Sequence, residues 1–333
     1  MSKKINDIDY LFVTSFLRAR ETKLLNRERA ERMLDAKTFE DMAKILEECG
    51  YGDMSGMTAA TLEKRLSEHR AEVIHELALV SPDDALVDVF RAKYDYHNAK
   101  VLIKAEASGN NGETLFSEAG RITPLRLTEA FTQSDFRMLP AALSSAIAQA
   151  KETLARTGDP QLADFVLDKA YFQEFMALAA DTGSQFLVDY GKLLIDSANL
   201  RSAVRSARMN KDGAFMKQVL CEGGNISPAR LISTVMAKSP LSALYTGSPL
   251  LEAATEAETA IAGGRLTDFE KTCDNALITF VSSAKLSGFG ERILVAYIHA
   301  LENEISAVRI IITGRISKLP PDVIRERLRD FYV

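Results

Sequence analysis

The stretch YDYHNAKVLIKA (residues 94–105) places polar side chains inside a run of apolar residues. Helix interiors carry Ala, Leu or Glu more readily than residues such as Asp95 and Asn98. Two later stretches repeat the same order of polar and apolar residues, IDSANLRSAVR (195–205) and NEISAVRIIIT (303–313). We call this shared pattern the kernel. A pattern that returns twice, at intervals of about a hundred residues, indicates an internal repeat.

Each kernel has an acid, then an Asn or Ala three positions later, then a base two positions further on. These residues are Asp95, Asn98 and Lys100 in the first kernel, Asp196, Asn199 and Arg201 in the second, and Glu304, Ala307 and Arg309 in the third. Arg91 and Lys192 stand four residues before the first two acids. On a helix this spacing predicts ion pairs with Asp95 and Asp196.

A second element, which we call the start segment, precedes each kernel. Its three occurrences are LNRERAERML (25–34), ITPLRLTEAF (122–131) and ISPARLISTV (226–235). Each has an aliphatic residue, then Asn, Thr or Ser, then a helical pattern. The kernel acid follows the first residue of the start segment by 70, 74 and 78 residues.

The steady offset predicts three similar helical units of about a hundred residues, each long enough to hold its own core. We place them at residues 1–111, 112–212 and 213–333. The alternative is that three ordinary amphipathic helices merely look alike.

Apolar residues recur along the chain with the spacing of helices. Residues 298–312 are the clearest case, with apolar side chains at steps of three and four. Ser81-Pro82, Thr123-Pro124 and Ser227-Pro228 have the composition of helix starts. Runs typical of β-strands are missing from the sequence, so we predict an all-α fold.

Composition narrows the class of protein. The chain has 333 residues and a net charge of −5, which argues against a general nucleic-acid binder. Cys49, Cys221 and Cys273 are far apart and form no metal-binding motif, so we expect buried thiols in a reducing compartment. The sequence has neither a signal peptide nor an apolar run of membrane-spanning length. We therefore expect a soluble, cytoplasmic protein.

Signatures of catalysis are weak throughout. DDALVD (83–88) resembles the acidic clusters that bind magnesium in helical prenyl-transferring enzymes, but its spacing differs and Asp83 and Asp84 fit the first turn of a helix. GYGDMSG (50–56) follows a helix rather than a strand and lacks the third Gly of a dinucleotide motif. A phosphate-binding loop is missing from the sequence. We therefore assign no catalytic, cofactor-binding or metal-binding residues, and we expect a structural or coupling role.

Three groups of residues resemble the C subunit of V-type and A-type rotary ATPases, known in eukaryotes as the d subunit. Tyr10 with RARETKLL (18–25) is similar to the family's aromatic residue followed by R-x-x-E-x-x-L-L. FRAKYDYHNAKVLI (90–103) is similar to its F-x-x-K-x-D-x-x-N pattern. ALENEISAVRIIITGRISKLPPDVIRERLRDFYV (300–333) matches its C-terminal motifs, apart from Ala307, where Asn is often found.

The resemblance implies a funnel of three similar helical domains with pseudo-threefold symmetry. Such a protein would belong to the rotor and would perform no chemistry. It would hold the tip of the axle formed by the D and F subunits, and it would sit on the membrane ring of c-type subunits at the cytoplasmic face. Its work would then be coupling for proton or sodium transport. A generic helical adaptor or scaffold with other partners is the alternative, and an all-α enzyme would rest on DDALVD alone.

Overall fold

The computed structural model describes residues 5–109 and 112–333, and its regular elements over these residues are all helices. The predicted all-α fold is therefore confirmed. The α-helices are α1 (Leu11–Glu21), α2 (Arg27–Asp35), α3 (Phe39–Glu48), α4 (Ala59–Val80), α5 (Asp84–Ser108), α6 (Pro124–Gln133), α7 (Ala141–Thr157), α8 (Pro160–Thr182), α9 (Gln185–Arg208), α10 (Gly213–Val219), α11 (Pro228–Met236), α12 (Leu241–Leu244), α13 (Leu251–Ile261), α14 (Leu266–Ser282), α15 (Glu291–Ile316) and α16 (Pro321–Arg327). Short 3₁₀-helices cover Asp7–Tyr10, Glu113–Leu115 and Ser283–Leu286.

The described chain forms two compact units. The central unit is Ala85–Phe269, and the terminal unit combines Ile5–Asp84 with Glu270–Val333. The terminal unit therefore joins the two ends of the chain in one body. The threefold division predicted at 111/112 and 212/213 stays a prediction.

The three kernels lie on three long helices of nearly equal length. α5, α9 and α15 have 25, 24 and 26 residues, and each buries side chains around most of its circumference. Each helix is followed by a residue with positive φ, fourteen positions after its kernel acid: Gly109, Asn210 and Lys318. The three kernel helices therefore end with the same backbone conformation, at the same number of residues after the kernel acid.

The central unit has a core built on the first kernel helix. The apolar side of α5 packs against α6, α7 and α8, and the buried members of this cluster include Tyr96, Ile103, Leu127, Leu143, Ile147 and Leu167. α7 and α8 form a helical hairpin around Gly158, which caps α7 in the left-handed conformation at φ 67°. Asp159 then caps α8, whose first residue is Pro160.

The terminal unit is organised around the third kernel helix. Ion pairs join α15 to α4 at Arg309–Glu63, 2.6 Å between Nε and Oε1, and at Arg70–Glu302, 3.0 Å between Nε and Oε1. Arg315 donates hydrogen bonds to carbonyl oxygens at the end of α2. C-terminal residues of α15 thus hold N-terminal helices in place, which accounts for part of the motif seen at 300–333.

Two of the three helices for which the sequence predicts a first residue begin at that residue. α6 begins at Pro124, and the Thr123 hydroxyl accepts a hydrogen bond from the N–H of Arg126. α11 begins at Pro228. The third helix begins at Asp84 rather than at Pro82. The difference arises because the Ser81 hydroxyl bonds to the N–H of Asp83 and holds a turn there before the helix.

We predict that Ile305→Ala lowers the free energy of unfolding by about 2–5 kcal/mol, because the change removes buried methyl groups from the centre of α15. Ile305 is fully buried. Urea unfolding of the full chain measures the change. Leu79→Ala is the matched control in the same unit, since Leu79 is 74% exposed and should change stability by less than about 0.5 kcal/mol. Equal effects of the two substitutions would contradict a core role for the α15 stripe.

Candidate functional site

The three kernel acids are the first side chains of this chain to examine for chemical reactivity. Asp95, Asp196 and Glu304 are buried, with at most 3% of the residue exposed. A buried carboxylate needs hydrogen-bond partners or a neutral state. The contacts of these acids therefore decide whether the kernels are reactive or structural.

The first kernel acid bonds to the second start segment. Asp95 Oδ1 accepts the backbone N–H of Ile122 at 3.1 Å, and Asp95 Oδ2 accepts Arg121 Nε at 2.6 Å. Asn98 bonds twice to the backbone of Ser117, at 2.9 Å to the carbonyl oxygen and 2.9 Å from the N–H. The kernel thus satisfies backbone groups in the segment between α5 and α6.

The second kernel repeats this arrangement with the third start segment. Asp196 Oδ1 accepts the N–H of Ile226 at 3.1 Å. Asp196 Oδ2 accepts both the backbone N–H and the side-chain amide of Asn225, at 3.0 and 2.9 Å. Asn199 bonds twice to the backbone of Cys221, at 2.7 and 2.8 Å. Asp95 and Asp196 therefore have equivalent local environments.

The third kernel acid forms its hydrogen bond with the first start segment. Glu304 Oε2 accepts the N–H of Leu25 at 2.5 Å. Each acid therefore bonds to the start segment that follows it, and the last acid bonds to the first. We call these three contacts the carboxylate junctions.

The contacts of the second and third junctions also explain why the third kernel has Ala307 where the first two kernels have Asn. Cys221 stands five residues before Ile226, and the position five residues before Leu25 is Arg20. Arg20 lies within α1, where helical hydrogen bonds already serve the backbone. An Asn at position 307 would have no equivalent free backbone to bind.

A glycine two residues before Ile122 and Ile226 makes the first two junctions possible. A Cβ on Gly120 would lie 2.6 Å from Asp95 Oδ1, and a Cβ on Gly224 would overlap Asp196 Oδ1. Neither glycine belongs to the kernel or to the start segments, but both stand in a repeated G-x-I-[ST]-P motif, at 120–124 and at 224–228, that could have predicted them. The third junction has Lys23 at this position and the longer Glu304 in place of Asp.

The predicted i,i+4 ion pair of the first kernel is wrong. Arg91 pairs with Asp88 at 2.9 Å and donates to the carbonyl oxygen of Gly120 at 2.7 Å. Asp95 pairs instead with Arg121, which also contacts Glu174 at 2.9 Å. The bond to the start segment turns the Asp95 carboxylate toward residues 121–122 and away from Arg91. Burial raises the pKa of the Asp196 carboxyl, and the charge of Lys192 opposes this rise only in small part.

Burial sets the protonation of the kernel acids. It raises the pKa of Asp95, against the opposing effect of the Arg121 guanidinium. It likewise raises the pKa of Asp196, against the hydrogen bonds from Ile226 and Asn225. The pKa of Glu304 rises to about 7, because the bond from the Leu25 N–H offsets burial only in part.

A cavity of about 150 Å³ adjoins Glu304 in the terminal unit. Burial lowers the pKa of His69 to about 4, and the ring stacks on Tyr51 with 3.9 Å between centroids. Burial also raises the pKa of the Cys49 thiol to about 12, so the sulfur is not a thiolate nucleophile at neutral pH. The cavity combines a neutral imidazole, a protonated thiol and a carboxyl already bound to backbone, which is a packing arrangement rather than a catalytic one.

The other residues that sequence reasoning considered have structural contacts. Within DDALVD, Asp83 bonds to Ser81, Asp84 opens α5 and Asp88 pairs with Arg91. Across residues 5–109 and 112–333, His, Cys, Asp and Glu side chains form no group of three or more that could hold a metal ion. The three cysteines are buried and unbridged, as the sequence predicts. The described helices include none that is both long and apolar enough to cross a membrane.

We predict that Gly120→Ala destabilises the protein by about 1–3 kcal/mol, because the added methyl group overlaps the buried Asp95 carboxylate. Gly120 does not have positive φ, so the effect reports contact rather than backbone strain. Thermal or urea unfolding measures it. The double variant Gly120→Ala with Asp95→Ala relieves the overlap and should be more stable than the sum of the two single losses. Additive losses would contradict the proposed geometry.

We predict that Glu304 makes the protein less stable as pH rises. Its folded-state pKa of about 7 exceeds the ordinary value of 4.5, so its contribution is fully present below pH 4.5 and is lost as pH rises through 7. The full change is on the order of 3 kcal/mol. Unfolding of the native chain and of Glu304→Gln between about pH 5 and 8 measures it, and the variant should lose this part of the slope. Glu40→Gln, at an exposed position of α3 in the same unit, is the control. Parallel profiles for the native chain and Glu304→Gln would overturn the assignment.

Comparison with known proteins identifies the family. The sequence profile described as ATP synthase (C/AC39) subunit matches residues 13–327. The C subunit of the V-type sodium ATPase of Enterococcus hirae is 26% identical, over 98% of this chain and 99% of its own length. The C subunit of the A-type ATP synthase of Pyrococcus horikoshii is 21% identical, over 95% of this chain and 89% of its own. The C subunit of the V-type ATP synthase of Thermus thermophilus is 24% identical, over 63% of this chain and 67% of its own.

These matches extend well beyond the motifs quoted from the sequence. They include both units of the fold and all three carboxylate junctions, which lie between residues 25 and 304. The resemblance drawn from the motifs is thereby confirmed. The chain belongs to the ATP synthase (C/AC39) subunit family, the family of a non-catalytic stalk subunit of the rotary ATPase.

Proposed function

We propose that this chain is the central-stalk subunit that couples the D/F axle to the membrane ring of c-type subunits. It transmits rotation for the transport of protons or sodium ions and performs no chemistry itself. The observation that carries the proposal is the match to relatives that are C subunits of rotary ATPases over nearly the whole chain, including one from a V-type sodium ATPase. On this proposal the protein is peripheral at the cytoplasmic face of the membrane.

The internal contacts suit a part that must transmit torque. Closely packed interiors deform little and pass strain from one surface to another. The carboxylate junctions add fixed hydrogen bonds where a long helix meets a connecting segment, as at Asp95–Ile122 and Glu304–Leu25. Each unit that is held in this way resists bending better than helices joined by flexible links.

The repeated junctions also support a threefold architecture. We propose that the three kernels belong to three similar helical domains, 1–111, 112–212 and 213–333, arranged as a funnel with pseudo-threefold symmetry. The nearly equal lengths of the kernel helices and the burial of all three acids support this division. The order of the junctions adds that each domain's kernel bonds to the start segment of the next domain.

The second candidate function is a generic helical adaptor with other partners. It shares the helical repeat and its junctions, but it gives no reason for a match to these ATPase relatives over nearly the full chain. Co-purification separates the two proposals, because a stalk subunit must be recovered with the other rotary ATPase subunits at fixed stoichiometry.

We predict that complexes lacking this chain hydrolyse ATP in their soluble sector without pumping ions. The physical reason is that the axle then has no rigid connection to the ring. Reconstituted complexes with and without the chain give the ratio of ions moved to ATP consumed. The variant Ile305→Ala with Val308→Ala, both fully buried, should assemble and pump poorly while hydrolysis by the separated head continues. A normal pumping ratio without the chain would refute coupling and favour the adaptor.

A further inference from the structure

A groove of about 730 Å³ lies in the central unit, within the size range of ligand sites. The ends of α9, α11 and α13 meet there, together with α10 and the beginning of α12. Its apolar lining includes Met216, Val235, Met236, Pro240, Leu241 and Ile261. This groove is separate from the carboxylate junctions and from the Glu304 cavity.

Positive charge surrounds the apolar lining. Arg208, Lys211 and Lys238 line the groove, and Glu258 is the acid among its lining residues. Glu258 Oε1 already accepts the backbone N–H and the hydroxyl of Ser242, at 3.1 and 2.9 Å. In a chain whose net charge is −5, this is a local excess of cations.

Of these three cations, one side chain is bound to carbonyl oxygens at the end of a helix, and the other two are not. Helix C-termini attract positive side chains, and Arg208 Nη1 donates to the carbonyl oxygens of Ala260 and Gly264 at the end of α13. Lys211 Nζ lies over the Phe215 ring, 5.0 Å from its centroid. Lys238 has no side-chain partner within the described part of the chain.

The carbonyl oxygens at the ends of α9 and α11 do not need the lysine side chains. The N–H of Lys211 bonds to the Ser206 oxygen, and the N–H of Lys238 bonds to the Val235 oxygen. Backbone groups thus close both helices. The Lys238 ammonium therefore remains available to a ligand at the edge of the groove, and the Lys211 ammonium is engaged only by the face of the Phe215 ring.

Exposed methionines flank the same place. Met209 is 61% exposed and Met236 is 49% exposed, whereas Met216 at the floor is fully buried. Methionine side chains are flexible and polarizable, and they adapt to the surfaces of binding partners. The residue that occupies the place of Lys238 after α6 is Ser134, which also has positive φ, so the charge is particular to this segment.

We propose that the groove binds an acidic amphipathic helix of a partner protein. The helix sets its apolar side on Met236 and Ile261 and its carboxylates against Lys211 and Lys238. Helix-in-groove recognition fits an apolar trough formed by helices. The complementary charge selects an acidic segment and speeds its encounter. The inference goes beyond the coupling function and does not depend on the identity of the partner.

Site-specific photo-crosslinking tests the proposal in the assembled complex. The photoreactive residue p-benzoylphenylalanine replaces Met236 in the full chain, and the crosslinked segment is sequenced by mass spectrometry. Met138, 74% exposed in the same unit, carries the probe in the control. We expect one acidic segment with apolar residues at helical spacing, crosslinked at position 236 and not at 138.

Charge variants make the test specific. Lys211→Glu with Lys238→Glu should lower the crosslinking yield about tenfold, and Lys211→Arg with Lys238→Arg should retain it. Both lysines are exposed, so unchanged thermal unfolding shows that the fold is intact. The proposal is overturned by no crosslink above that at Met138, by a crosslink to lipid, nucleic acid or a second copy, by a segment without acids, or by a yield that charge reversal leaves unchanged.

Discussion

A buried carboxylate that accepts a backbone N–H just before a helix is the contact on which the rest of this structure depends. Asp95, Asp196 and Glu304 make this contact at the N–H of Ile122, Ile226 and Leu25. Ile122, Ile226 and Leu25 each precede the N-cap residue of a short helix. At α2 and α6 the N-cap side chain also accepts a backbone N–H, so these two helices are held both by their own caps and by a long neighbouring helix. Two of these contacts lie in the central unit and the third lies in the terminal unit, so each unit has a long helix tied to a short one in this way.

Much of this organisation is legible in the sequence. Helical periodicity predicts the helices, and the repeated kernel predicts three similar helices that each carry an acid, because each pattern is contained in a short stretch of sequence. The partner of each acid is not local. Asp95 has Arg91 one helical turn away, yet it bonds to residues 121 and 122, and Glu304 bonds to a residue 279 positions earlier. Neither choice follows from spacing along a helix, since both depend on how connecting segments fold back.

The groove in the central unit was beyond sequence reasoning for a related reason. Lys211 and Lys238 stand 27 residues apart, each after a different helix, and neither belongs to a motif. Only the convergence of three helix ends places them on one apolar trough. The kernel acids are the opposite case. They stand in a conspicuous motif, and their carboxylates are already bonded to backbone N–H groups and, at Asp95, to Arg121. The repeated motifs therefore identify residues that hold the fold together, whereas the candidate binding groove is formed by residues that belong to no motif.

The bond between Leu25 and Glu304 also sets the order in which the protein can be completed in the cell. Its two ends are 279 residues apart, so at about 5–20 residues per second roughly 15–55 s separate their synthesis. Throughout that time Ile5–Asp84 lacks the helix around which its unit is built, whereas Ala85–Phe269 is completely synthesised before Glu304 is added. The central unit is therefore complete in sequence before the terminal unit, and the N-terminal helices cannot close their own core until α15 has been made.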